Sequence, residues 1–227
     1  MFNLLLSISE QQELIDATYE TIDLLWKSSI ISIPLGTIIG FILALYGKNK
    51  IYENKWISYT LSVLVSVVRS IPFILLMVII IPLSYGLFGR SYGFIPSIIS
   101  LSIIGVATVS RQVEQAIADL NPQIFELSKS LSANKFQLFI HFIFVEARSG
   151  LILGYTTSII SLLAYSSVVY IVGGGGLGYT AIQIGYYSPV GTELMWISTI
   201  IMIIMVQIIQ ILGNVLASYL DKKKRSL

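Results

Sequence analysis

Five stretches of this chain are apolar for long enough to cross a bilayer, and nothing in it constrains the fold more. They lie near residues 28–46, 57–83, 94–110, 151–172 and 194–220, each about 17 to 27 residues long against the ~20 that a ~30 Å hydrocarbon core demands of a helix. Only 11% of its 227 residues are charged and 55% are hydrophobic, where soluble domains carry about one quarter charged. The chain therefore reads as an all-α polytopic membrane protein with five transmembrane helices. The second and fifth stretches are long enough to require tilt or a break. Pro34 and Pro72 each remove a backbone donor and predict kinks.

Basic residues set the orientation. Lys48, Lys50 and Lys55 follow the first span, Arg111, Lys129, Lys135 and Arg148 lie between the third and fourth, and Lys222, Lys223, Lys224 and Arg225 follow the fifth. Positive charge stays on the cytoplasmic side, so these three segments share it, and the segment 121–150 is cytoplasmic. The opposite segments hold only Lys27 and Arg90, and residues 173–193 have no basic residue. The expected division is an external or interfacial segment 1–24, a transmembrane domain 25–220 and a basic cytoplasmic tail 221–227. The opening MFNLLLSISE lacks a basic start and is expected to be retained rather than cleaved as a signal. Glu10, Glu13, Asp16, Glu20 and Asp23 stand at mostly helical spacing and predict a surface helix with a solvated acidic face.

Several chemistries are excluded. The chain has no cysteine and one histidine, His141, which removes disulfides, thiol chemistry and multi-histidine metal centres. It has no GxxxxGK[ST] loop, so it cannot hydrolyse ATP in the usual way. A net charge of +2 makes no case for nucleic acid. Neither enzymatic activity nor a cofactor is expected. Gly173, Gly175 and Gly178 formally match GxGxxG, but no strand can be built beside them; a flexible external turn that ends span four and lets an outer gate move is the better reading.

The polar residues inside the spans each admit two readings. Gly36 with Gly40, and Gly150 with Gly154, have the spacing that lets helices approach closely, although glycine is frequent in membrane helices in any case. Arg69 lies deep in span two, where it either pairs or snorkels for structural reasons or serves a gate. Thr156, Thr157, Ser158, Ser161, Tyr165, Ser166 and Ser167 either satisfy their own helix carbonyls or face a pathway. Gln207, Gln210 and Asn214 form one stripe, either interhelical glue or substrate contact. All twelve acids lie outside the spans or at their edges, which argues against a self-sufficient secondary transporter with buried ion or proton sites. A non-transporting scaffold would not need Arg69, the amide stripe and broken helices together.

The cytoplasmic segment 121–150 looks built to meet a soluble partner. Asn121 before Pro122 should start a helix, with Ile124, Leu127 and Leu131 on one face and Glu126, Lys129 and Ser130 away from it. Ser132 falls at the turn. A second start at Asn134, with Gln137 completing a capping box, leads into an apolar run from Phe136 to Val145 that is too short to span. Two short helices in a hairpin are expected. Upstream, Arg111, Glu114 and Gln115 stand at i, i+3 and i+4 on a helix continuing below the membrane.

Glu126, the small and apolar residues after it, and the turn at Ser132 resemble the cytoplasmic EAA loop of binding-protein-dependent ABC importer permeases, with Leu127, Ser128, Ser132 and Val145 where that family usually has alanine, alanine, glycine and proline. VRSIPFILL (68–76), SRQVEQAIADLNP (110–122) and GGGGLG (173–178) are similar to its methionine-importer branch, and the likeness runs from about Trp56 to the C-terminus. The resemblance implies a permease subunit of the bacterial inner membrane, two copies of which form a pore in the lipid. It further implies two copies of a separate ATPase subunit and an extracytoplasmic substrate-binding protein as partners. On this likeness Glu126, Leu127, Ser128, Ser132, Ala133 and Phe136 form the ATPase-coupling loop. Arg69, Tyr165, Ser166, Gln207 and Gln210 belong to the pathway or gate, and Gly173, Gly175, Gly176 and Gly178 to the external turn. The implied substrate is methionine, L or D. Val169 and Tyr170 stand where that branch has small residues, so other amino acids, small peptides and small polar solutes stay open.

Overall fold

The computed structural model describes residues 7–46, 54–188 and 191–221. Lys48, Lys50 and the basic tail 222–225 lie outside the described residues. Nine α-helices are described: α1 (Ile8–Tyr46), α2 (Lys55–Ser70), α3 (Phe73–Phe88), α4 (Phe94–Ala118), α5 (Gln123–Ser130), α6 (Lys135–Gln137), α7 (Phe144–Ser166), α8 (Gly176–Tyr179) and α9 (Thr192–Leu220). Four continuous helical runs are long and apolar enough to cross a membrane, and the bent pair α2–α3 makes a fifth candidate span.

Ser7 starts α1. Its N–H donates to the Glu10 carboxylate at 2.7 Å while the Glu10 N–H donates to the Ser7 hydroxyl at 3.3 Å, a reciprocal cap. The hydroxyl and backbone N–H of Ser7 hold the Glu10 carboxyl below its ordinary value. From there α1 runs 39 residues without a stop, roughly 58 Å at 1.5 Å per residue. The acidic segment is thus the outer extension of span one, with no break at Pro34. Nor is it solvated all round, because Leu14, Ala17, Thr21, Leu24 and Leu25 are buried along one stripe.

Span two breaks as Pro72 requires. Ile71 is extended, at ψ 123, since the proline ring disfavours helix in the residue before it, and the two halves meet at 109°.

Glycine seams set the helix packing. Ser32 faces Gly105, Gly36 faces Val109 and Gly40 faces Val113, so α1 and α4 run parallel in constant register. A Cβ on Gly36 would lie 2.6 Å from that of Val109, closer than any real side chain permits. Gly150 against Ala116 and Gly154 against Gln112 run the opposite way, making α7 antiparallel to α4. Both glycine pairs therefore serve close packing. An outer core gathers Leu24, Met77, Leu101, Leu162 and Leu163, and an inner one Phe41, Val109, Val113, Ile143 and Leu151. At the inner end the Arg148 guanidinium donates to the Leu220 carbonyl at 2.7 Å, closing the last turn of α9 onto α7.

Two boundaries differ from the sequence reading. The apolar run from Phe136 to Val145 is not a separate hairpin helix: it passes through a π-helical turn, Leu138–Ile143, straight into α7, because no breaker stands between. At the outer end α7 stops at Ser166 and continues only as the 3₁₀ turn Val169–Val172.

Candidate functional site

The loop between α4 and α7 is shaped by its own caps. Asn121 accepts the Gln123 N–H at 3.0 Å, opening α5. The helix closes through Ser132, at φ 52 the one non-glycine residue of positive φ among those described. The Ala133 N–H reaches back to the Ser128 carbonyl at 3.0 Å and that of Ser132 to Lys129 at 2.9 Å, the paired bonds of a left-handed helix terminus. Asn134 and Gln137 then exchange side chain-to-backbone bonds of 2.8 and 2.9 Å, the expected capping box.

The face that α5 buries is not the one its leucines mark. Ser128 is 3% exposed and Phe125 packs, partly buried, against the inner core, whereas Leu127 is 54% and Leu131 64% exposed. Leu127, Leu131 and Phe136, the last 69% exposed, are left facing outward together with the exposed Glu126. A soluble region rarely leaves such residues bare unless something covers them.

A second polar region lies on the face of α2 and α4. Arg111 donates to Glu114 at 2.6 Å, to the Ser62 carbonyl and hydroxyl at 3.1 and 2.9 Å, and to the Ser66 hydroxyl at 2.7 Å. It rivets α4 to α2, and Gln115 takes no part. Next to it Arg69 is exposed, with no ion pair or hydrogen bond of its side chain among the described residues, on a cavity of about 370 Å³ that Thr108, Gln112 and Glu114 also line.

The other proposed pathway residues are not gathered here. The Tyr165 ring packs 4.8 Å from that of Phe73 in the outer core, and Ser166 is buried with its hydroxyl on the Leu163 carbonyl at 2.7 Å. Thr156, Thr157, Ser158 and Ser161 likewise bond carbonyls of their own helix, as the structural reading of these hydroxyls requires. On α9 the amide stripe does not glue helices within this chain. Gln207 and Asn214 are exposed, and Gln210 bonds Asn214 at 3.0 Å. The seam is instead made by Ser198, Gly213 and Ala217, small enough for close approach.

The glycine run 173–178 forms a defined turn. Gly173, Gly175 and Gly176 have φ of 78, 69 and 80°, and the chain then folds into α8 and a π-helical turn, Thr180–Tyr186. Glu20 and Thr21 of α1 hold this segment through its Gly176 and Leu177 N–H groups, at 2.7 and 2.9 Å. Sequence reasoning missed that contact, since 156 residues separate the partners and no local spacing reports it.

The fold is a helical bundle with one broken candidate span and a short capped loop that leaves apolar side chains uncovered. Residues 36–226 match the model of one family, "Binding-protein-dependent transport system inner membrane component", and the chain belongs to it. It is 33% identical over 207 residues to the probable D-methionine transport system permease protein MetI of Haemophilus influenzae, covering 91% of this chain and 97% of that one. Against the methionine import system permease protein MetP of Bacillus subtilis it is 29% identical over 211 residues, 93% and 95% of the two chains. Among solved structures, one described as an inward-facing conformation of the MetNI methionine ABC transporter superposes with a TM-score of 0.91 at 28% identity, covering 96% of this chain and all of that one. An amino acid ABC transporter solved with histidines shares the fold, with a TM-score of 0.77 at 18% identity over 93% and 96% of the chains.

Proposed function

We propose that this chain is the permease subunit of an ABC importer for methionine, working as two copies with two ATPase subunits and an external binding protein. The observation that carries the coupling part is the capped cytoplasmic loop whose Leu127, Leu131 and Phe136 stand bare beside Glu126. The substrate rests on near full-length likeness to proteins named for methionine. In this reading Glu126, Leu127 and Phe136 enter a groove on the ATPase, while Ser128, Ser132 and Ala133 fix the loop's shape from behind. Because α5 leans on the π-helical turn that runs into α7, a push on the loop moves span four as a lever and switches the pore between two states. Arg69 stands on the open polar face and is assigned to the pathway, where an unpaired intramembrane charge must meet water or protein. Gln207 and Gln210 face outward on α9 and serve where a second subunit or the pathway meets it. Tyr165 and Ser166 support the pathway from the core. Gly173, Gly175, Gly176 and Gly178 shape the outer gate.

Proteoliposomes holding this chain, its ATPase and its binding protein should accumulate labelled L- and D-methionine only when ATP is present. Accumulation of a different amino acid, with methionine neither carried nor competing, refutes the substrate; uptake of solute by this chain without the ATPase refutes the coupling.

A further inference from the structure

We propose that Glu20 and Thr21 are positioning residues of the outer gate, clamping residues 176–180, the start of the segment 176–186, to α1 so that this start moves with the α1–α4 pair. This rests on reading the chain as a permease.

The acids of the α1 extension are not equivalent. Glu10 bonds Ser7, Asp16 takes the Gln12 amide at 3.0 Å and Asp23 pairs with Lys27 at 2.6 Å, all within or beside their own helix. Glu20 reaches out: its carboxylate accepts the Gly176 N–H at 2.7 Å. One residue on, the Thr21 hydroxyl accepts the Leu177 N–H at 2.9 Å while donating to the Ala17 carbonyl at 2.9 Å. Thr21 is 2% exposed and Leu177 fully buried, so water cannot replace the second bond. The Thr180 hydroxyl lies 3.5 Å from Glu13, two turns further out. A bond from backbone N–H to an ionised carboxylate is roughly twice as strong as a neutral one.

The glycines make the approach possible. Gly175 and Gly176 adopt φ of 69 and 80°. A Cβ on Gly175 would run into the Glu20 carboxylate, and one on Gly176 would lie 2.8 Å from the Thr21 hydroxyl. The glycine run thus fits the turn to α1 besides turning the chain. At its inner end α1 is locked in register with α4, and α4 leads within a few residues into the cytoplasmic loop. A displacement at that loop is carried along two interlocked helices to the clamp and delivered to the segment that closes the outer side.

The test uses the complete transporter in proteoliposomes, reading methionine moved per ATP hydrolysed. Thr21→Val keeps the shape and loses the acceptor, Thr21→Ser keeps it, Glu20→Ala removes the carboxylate and Glu20→Gln keeps an oxygen without the charge. Loss of a buried or charge-assisted bond should lower transport per ATP by roughly tenfold in Thr21→Val and Glu20→Ala, with Thr21→Ser near wild type and Glu20→Gln between. Thr180→Cys, the only thiol in a cysteine-free chain and at a position fully buried against α1, should react faster with an impermeant maleimide beside Thr21→Val than beside Thr21→Ser. Wild-type coupling and labelling in folded Thr21→Val and Glu20→Ala overturn the proposal, as does a loss of folded yield with coupling per folded transporter unchanged. If the wild-type transporter moves no solute, the permease reading fails by itself, and the maleimide rates still decide the clamp.

Discussion

The two ends of this molecule solve opposite problems. At the cytoplasmic end, α5 is defined by bonds that span two to five residues, from Asn121 to Gln123 and from Ala133 back to Ser128, and it leaves its leucines uncovered. At the outer end, the segment 176–186 is fixed by bonds to residues 156 positions away, with Gly176, Leu177 and Gly178 buried. A piece that must dock and undock benefits from a shape it keeps when free. A piece that must follow the bundle benefits from being tied to it. Local caps give the first, long-range tethers the second.

The comparison breaks most readily at the outer end. Gly178→Val should cost the most, because a Cβ there overlaps the Ser167 backbone carbonyl, which has no rotamer by which to retreat. A loss of about 3 kcal/mol or more is expected, seen as a fall in the melting temperature of the purified permease. Gly86→Ala, in open surroundings within α3, should raise stability by about 0.5–1 kcal/mol instead. Equal effects of the two would show that the outer segment is not packed as described.

Arg111→Ala comes next. It removes the tie from α4 to Ser62 and Ser66 and leaves Glu114 unpaired. The group is about a quarter exposed, so solvent reduces the loss to ~1–2 kcal/mol. Arg111→Lys should recover little of it, having no planar fork to serve two serines and a carboxylate at once.

At the inner end, Glu126→Lys should change folding by less than about 1 kcal/mol, the size of a helix-dipole effect, yet sharply reduce the ATPase subunit recovered with the tagged permease. An unchanged ratio of ATPase to folded permease would reduce Glu126 to a helix-capping charge. The smallest effect is expected from Ser132→Gly, which relieves a left-handed serine and should stabilise the loop by ~1 kcal/mol. A destabilisation would mean the serine hydroxyl contributes more than its backbone costs.

Legibility in the sequence follows the same division. The break at Pro72, the turn at Ser132 and the Asn134–Gln137 box were readable, because each is decided within one or two helical turns, whereas the glycine spacings left close packing open until α4 was placed against them. The partial burial of Phe125 in place of Leu127 was not, since the apolar residues of α5 are spread over more than one face and local spacing does not say which face meets the bundle. The amide stripe was not decided by the sequence either, for a related reason: hydropathy marks Gln207 as polar and does not say what lies against it. Glu20 read as one more surface acid, and only the folded chain distinguishes it from Asp16 and Asp23.

The parallel lock between α1 and α4 has a consequence for how the chain is made. Two neighbouring spans that point the same way cannot be consecutive, so α1 enters the bilayer before its partner exists. With α4 beginning at Phe94, synthesis at about 5–20 residues per second puts the partner several seconds behind. In that interval the Ser28, Ser32, Gly36 and Gly40 stripe of α1 faces lipid or a chaperoning insertase. Ser32 turns its hydroxyl back on the Ser28 carbonyl at 2.6 Å, so this polar group needs no partner helix while the first span waits; the Ser28 hydroxyl makes no such bond.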